Sequence, residues 1–115
     1  MNNKVEKRLS DLGINLPPLP QPIANYLPYV TSGEHVFISG QLPFFDGEIH
    51  DKGKIGKDLS VENGQATARY CCLNLLSNLK EACNGDLSQV TSGTKLGGHI
   101  NSTFFVFKNS CLQPF

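Results

Sequence analysis

A single helix-period segment dominates this chain. Between Ser60 and Asn84, residues Ala68, Cys72, Leu75, Leu76, Leu79 and Cys83 recur at three- and four-residue steps, which gathers them onto one face. Ser60 is a good N-cap, Glu62 sits where the helix dipole favours a carboxylate, and Asn84-Gly85 supplies two residues that readily adopt positive φ. Roughly 24 helical residues span about 36 Å at 1.5 Å each, enough to cross a small sheet. With 115 residues in all, there is room for one domain. The helix therefore needs a partner for its apolar face, and the segments preceding it must provide one.

Those segments read as strands. Tyr26 to Val30 is rich in β-formers, with Pro28 marking an edge or bulge, and His35 to Ser39 follows a turn at Thr31–Glu34. Asp46-Gly47 is a hairpin signal joining Leu42–Phe45 to Glu48–His50. Thr94 to Asn101 is a further strand candidate, weakened by Gly97-Gly98. Upstream, Val5, Leu9 and Leu12 predict a short amphipathic helix over 4–12, capped at Gly13. The prolines at 17, 18, 20 and 22 then impose an extended arm. The expected class is α+β, a layer of antiparallel or mixed sheet with one long helix packed across it.

Charge and cysteine usage exclude several functions. Ten basic and ten acidic residues leave no surplus of cations to displace counterions from nucleic acid or an anionic membrane surface. No apolar run approaches a bilayer span, and the N-terminus lacks a secretory pattern, so a cytoplasmic location is expected. Cys71, Cys72, Cys83 and Cys111 contain no CxxC spacing, and His35, His50 and His99 are scattered. We expect packing thiols on the helix, no metal site and no cofactor.

Several motifs taken in order carry a resemblance. Ser39-Gly40-Gln41-Leu42-Pro43 follows a β-rich run, then come Gly53-Lys54-Ile55-Gly56 with Asp58-Leu59-Ser60, Gly64-Gln65-Ala66 and Leu73-Asn74-Leu75-Leu76. Asn84-Gly85-Asp86-Leu87, Lys95-Leu96-Gly97 and Ile100-Asn101-Ser102 complete the series. Together they resemble the reactive intermediate deaminase (Rid, YjgF-like) superfamily, in its L-PSP endoribonuclease-like branch, over about residues 4 to 102. The resemblance implies a chorismate-mutase-like fold in one domain: 1–25 helix and arm, 26–102 family-like core, 103–115 divergent tail. It also implies a homotrimer with clefts between subunits, and hydrolysis of small imines or enamines to 2-oxo acids and ammonia without metal or cofactor. The alternative is a non-catalytic binder of small 2-oxo-acid-like molecules on the same fold.

Carried over residue by residue, the resemblance makes Tyr26, Ser39 and Gly40 substrate-binding positions. The residue types suit the task. Glycine admits backbone groups close to a planar ligand, serine offers a hydroxyl, and tyrosine a flat wall with a polar tip. Read without the family, the same residues are an ordinary strand end and a half-buried strand residue. Beyond Ser102 the pattern is not continued, so the family's last helix and strand, with a carboxylate-gripping Arg and a Glu, have no counterpart. The arginines present are Arg8 and Arg69, neither at the family's position, and no catalytic residue is assigned. The phenylalanine-rich stretch after Thr103 reads as an altered or prematurely ended frame. Ribonuclease activity, attached to the family by name, finds no paired histidines and no basic groove in this sequence.

Overall fold

In the long helix α2, Val61–Ala82, the local signals act as expected. The Ser60 hydroxyl accepts the Asn63 amide at 3.1 Å, satisfying one of the amides that a helix N-terminus leaves orphaned. At the other end Asn84 takes φ +54° and Gly85 φ +88°. Asn84 N–H donates to Glu81 O, and Gly85 N–H donates to Lys80 O, the paired closure of a Schellman motif. The computed structural model describes residues 4–19, 26–45, 48–49 and 52–104.

Helix α1, Lys4–Asp11, ends the same way. Gly13, at φ +69°, donates to Ser10 O, and Ile14 donates to Leu9 O. This turn delivers α1 to the short 3₁₀ turn Leu87–Gln89, so the link expected after α2 contains a turn of helix of its own. Leu9, Cys83 and Leu87 are the buried apolar residues there, and Lys80 pairs with Glu6 at 2.8 Å across the junction. The proline arm leaves from this point without regular structure through Leu19, and Pro20 and Pro22 lie outside the described residues.

The sheet differs from expectation. β1 (Tyr29–Ser32) pairs antiparallel with β2 (His35–Ile38), while β3 (Phe44–Phe45) pairs with β4 (Glu48–Ile49) in a separate ribbon. The four expected strand segments thus pair as two separate two-stranded ribbons, because Gly40 and Pro43 interrupt the ladder between β2 and β3. The first strand starts three residues later than expected, since Pro28 has no amide to donate, although its carbonyl accepts Ser39 N–H at 3.0 Å. Asp46-Gly47 and His50 lie outside the described residues. Helix α2 crosses β1, β2 and β3. Tyr29 and Ile38, directly opposite, are half-buried, while the next pair, Val30 and Phe37, faces outward and is exposed.

Two further expectations are corrected. The segment 94–101 forms no strand and is exposed throughout. Pairing resumes only where Asn101 O accepts Ile55 N–H and Thr103 N–H donates to Ile55 O, at 2.9 and 2.8 Å. Paired glycines give a strand no side chains to seat, which fits the outcome. The face of α2 that goes under is also not centred on the apolar stripe. Ala68 and Cys72 are exposed, Leu75, Leu76 and Leu79 are half-buried, and the buried residues are Asn74, Ser77, Asn78 and Cys83. Their hydrogen bonds explain why.

Candidate functional site

The connection leaving β2 brings Tyr26, Ser39 and Gly40 together. Tyr26 Oη donates to Gly40 O at 2.9 Å, and Ser39 Oγ donates to Leu27 O at 2.5 Å. Each hydroxyl thereby closes onto the facing segment, and Ser39 N–H adds the backbone bond to Pro28. Tyr26 remains exposed, Ser39 half-buried and Gly40 exposed. The three residues thus form a polar wall at the end of the β1–β2 ribbon, with an aromatic ring on one side and an open glycine on the other.

Helix α2 holds this wall from behind. Asn78 Nδ2 donates to Gln41 Oε1 at 3.0 Å, and Gln41 Nε2 donates to Ser39 O at 2.8 Å. One turn earlier, Asn74 Nδ2 donates to Leu42 O at 3.0 Å, and Ser77 Oγ reaches Pro17 O at 2.8 Å. Buried amides and hydroxyls are costly unless paired, so these bonds account for the polar face of α2. Gln41, Asn74 and Asn78 were missed as site residues in the sequence. The available signal was two asparagines four apart inside an apolar repeat, a spacing that puts both on one helical face.

Other candidate features fall elsewhere. A cavity of about 330 Å³ is lined by Glu6, Leu9, Ile14, Asn15, Leu16 and Lys80, at the α1 end of the molecule and apart from Tyr26. Two of its lining residues, Glu6 and Lys80, form an ion pair whose charges already answer one another. No group of three or more potential metal ligands occurs among the described residues. Arg8 and Arg69, both exposed, lie in α1 and α2 and are not part of the Tyr26–Gln41 wall. Burial raises the Cys71 thiol pKa, with Cys72 adding to the rise, and Ser88 lowers that of Asp86 by hydrogen bonds from its hydroxyl and amide. Cys72 is exposed, so it is not the packing thiol that was expected, and Cys111 lies outside the described residues.

An α+β chain with a long capped helix across antiparallel ribbons is the class that these observations define. The match to known proteins names it. Residues 6–113 match the model of the family described as "YjgF/chorismate mutase-like, putative endoribonuclease", and this chain belongs to that family. The match continues past Ser102, where the resemblance was expected to end. Protein TCP17 of Trypanosoma cruzi is 40% identical over 102 residues, covering 89% of this chain and 63% of TCP17. Atu1372 of Agrobacterium tumefaciens, a crystal structure of unknown function, matches with a TM-score of 0.64 and 43% identity over 73% of this chain and 50% of its own. A putative endoribonuclease of Shewanella oneidensis matches with a TM-score of 0.67 and 38% identity over 72% of this chain and 54% of its own. The chain thus spans between half and two-thirds of the length of these relatives. Among the described residues no helix is long and apolar enough to cross a membrane.

Proposed function

We propose that this chain is a Rid-type protein whose Tyr26, Ser39 and Gly40 form one wall of a cleft for a small imine or enamine and its 2-oxo acid product. The observation that carries the reading is the bond from Tyr26 Oη to Gly40 O, which holds Tyr26 against the Ser39–Gly40 segment. In that cleft the Tyr26 ring covers a flat ligand face, and the open glycine lets backbone groups approach it. Hydrolysis then needs water to add to the C=N carbon while nitrogen takes up a proton. The C–N bond breaks, releasing ammonia and leaving C=O. A second copy of the chain closes the cleft in the trimer that goes with this reading, and the mass in solution tests for it.

The experiment is ammonia release from 2-iminobutanoate generated in situ, measured against the uncatalysed rate. Acceleration proportional to protein concentration supports deamination; no acceleration at high protein concentration removes it.

A second reading, binding without turnover, is favoured by one observation. Among the described residues no arginine stands at the wall, and a guanidinium fork is the group best matched to a carboxylate. Saturable binding of 2-oxobutanoate with no ammonia release selects this reading. The ribonuclease named in the matched family and in the Shewanella neighbour is the third outcome, and cleavage of a single-stranded RNA by the purified chain decides it.

A further inference from the structure

The connection between β2 and β3 is shaped by side chains rather than by a ladder. Among the described residues, residues 39–42 make one backbone–backbone bond, from Ser39 N–H to Pro28 O. Three of their carbonyls accept side-chain donors: Gln41 to Ser39 O, Tyr26 to Gly40 O, and Asn74 to Leu42 O. Gln41 is itself oriented by Asn78, because Asn78 Nδ2 occupies Gln41 Oε1 and so turns the Gln41 amide nitrogen toward Ser39. The same Asn78 nitrogen also reaches Asn74 O at 3.1 Å, which fixes the asparagine's own orientation. The chain of donors is therefore directional, from helix to glutamine to the Ser39 carbonyl.

The choice of residue needs a reason beyond stability. Asn78 is 4% exposed, between Leu75 and Leu79 on a helix whose repeat would accommodate another apolar side chain. A buried hydrogen bond returns only about 1 kcal/mol net, less than a well-seated leucine contributes at about 1.5–3 kcal/mol. What an amide supplies that a hydrocarbon does not is direction.

We propose that Asn78 and Gln41 are positioning residues: Asn78 aims Gln41, and Gln41 sets the tilt of the Ser39–Gly40 peptide against Tyr26. The proposal deepens the small-molecule reading given above and rests on it for its functional consequence. The geometric part stands without it.

The test compares Asn78→Ala, Gln41→Met and the double variant with the parent chain. Three quantities are read: the NMR shifts of the Ser39 carbonyl carbon and the Gly40 amide, which belong to the peptide that Gln41 holds, affinity for 2-oxobutanoate by titration, and the melting temperature. The relay predicts that the Ser39 carbonyl and Gly40 amide shifts both move in each single variant, as the bond to that carbonyl is lost, while the α2 amides around Leu75 keep their exchange protection. It further predicts that affinity falls in each single variant and no further in the double, because the two act in series. Gln41→Met alone decides the matter if Asn78→Ala does not fold. Unchanged Ser39 carbonyl and Gly40 amide shifts overturn the relay whatever the ligand does. Moved shifts with unchanged affinity overturn the positioning role. A parent chain that binds no 2-oxobutanoate sinks the small-molecule reading and the positioning role with it, while the shifts still decide the relay.

Discussion

The hydroxyl of Tyr26 and the carbonyl of Gly40 meet across fourteen positions of sequence, joining the end of the arm to the exit of β2. Removing that hydroxyl separates folding from binding. Because Tyr26 is 51% exposed, water replaces the lost partner, and Tyr26→Phe should change stability by less than about 1 kcal/mol. Affinity for 2-oxobutanoate should fall by roughly threefold or more, since the wall loses its tie. A titration matching the parent's would show that the ring, not the hydroxyl, is what matters.

Ser60→Ala should lower stability by about 1 kcal/mol, and Ser60→Asp should retain most of it, because the carboxylate can accept the Asn63 amide and faces the positive end of the helix. Urea unfolding followed by circular dichroism reads the difference. Equal midpoints for the alanine variant and the parent would mean that the α2 terminus frays in both.

Gly64 touches Ile55 more closely than any other residue type would allow. A Cβ built at 64 falls 2.5 Å from Ile55 Cδ1 and 3.2 Å from its Cγ1. Alanine is the better helix former by about 1 kcal/mol, so Gly64→Ala sets that gain against a clash. The informative quantity is the coupling. Ile55→Val alone should cost about 1 kcal/mol, and in the Gly64→Ala background it should cost nothing or stabilise, because the offending methyl is gone. Additive effects in a four-way set of thermal melts would place the two side chains out of contact.

The three helix thiols should differ in reactivity. Cys72 is exposed and should be alkylated first by iodoacetamide, Cys83 is buried and should come last, and Cys71 lies between. Its thiol pKa is raised above the ordinary 9.0, chiefly by burial, so the fraction present as thiolate at pH 8 is smaller than for a free cysteine. Peptide mapping over time gives the order, and Cys71 reacting ahead of Cys72 would contradict the exposures.

Asp86 caps the Leu87–Gln89 turn through the Ser88 hydroxyl and amide, and these bonds lower its pKa below the ordinary 3.8. A depressed carboxyl contributes while ionised: the contribution is complete above the ordinary value and disappears as pH falls through the lower folded one. The Ser88 amide shift should therefore stay flat from pH 8 to about 5 and move with a midpoint below 3.8. A midpoint at or above that value would falsify the cap.

Legibility in the sequence followed range. The caps of α1 and α2 were readable because Ser60, Gly13 and Asn84-Gly85 act on amides and carbonyls within one turn. Tyr26, Ser39 and Gly40 were named by resemblance, and the structure puts Tyr26 on Gly40 O and Ser39 on Leu27 O through a pairing that continues beyond Tyr29 and Ile38. What failed depended on distant partners. The apolar repeat centred α2 on Leu75–Leu79, whereas Gln41, Leu42 and Pro17 draw Asn74, Ser77 and Asn78 inward. The period of hydrophobicity has no way to register an amide that will meet a carbonyl more than thirty residues away. Likewise Thr94–Asn101 was expected as a strand, but among the described residues only Ile55 pairs with it, through Asn101 and beyond.

An α2 seated through Asn74, Ser77 and Asn78 tolerates rotation poorly. A greasy stripe can slip by part of a turn and still exclude water, whereas each of these three groups answers an oxygen outside the helix, and turning the rod breaks those three bonds at once. The arm at Pro17, the bend at Gln41 and the entry to β3 are accordingly keyed to a single azimuth of the helix. Insertions or deletions inside 61–73 should be felt at all three places together, as a lock jams when one of its pins is displaced.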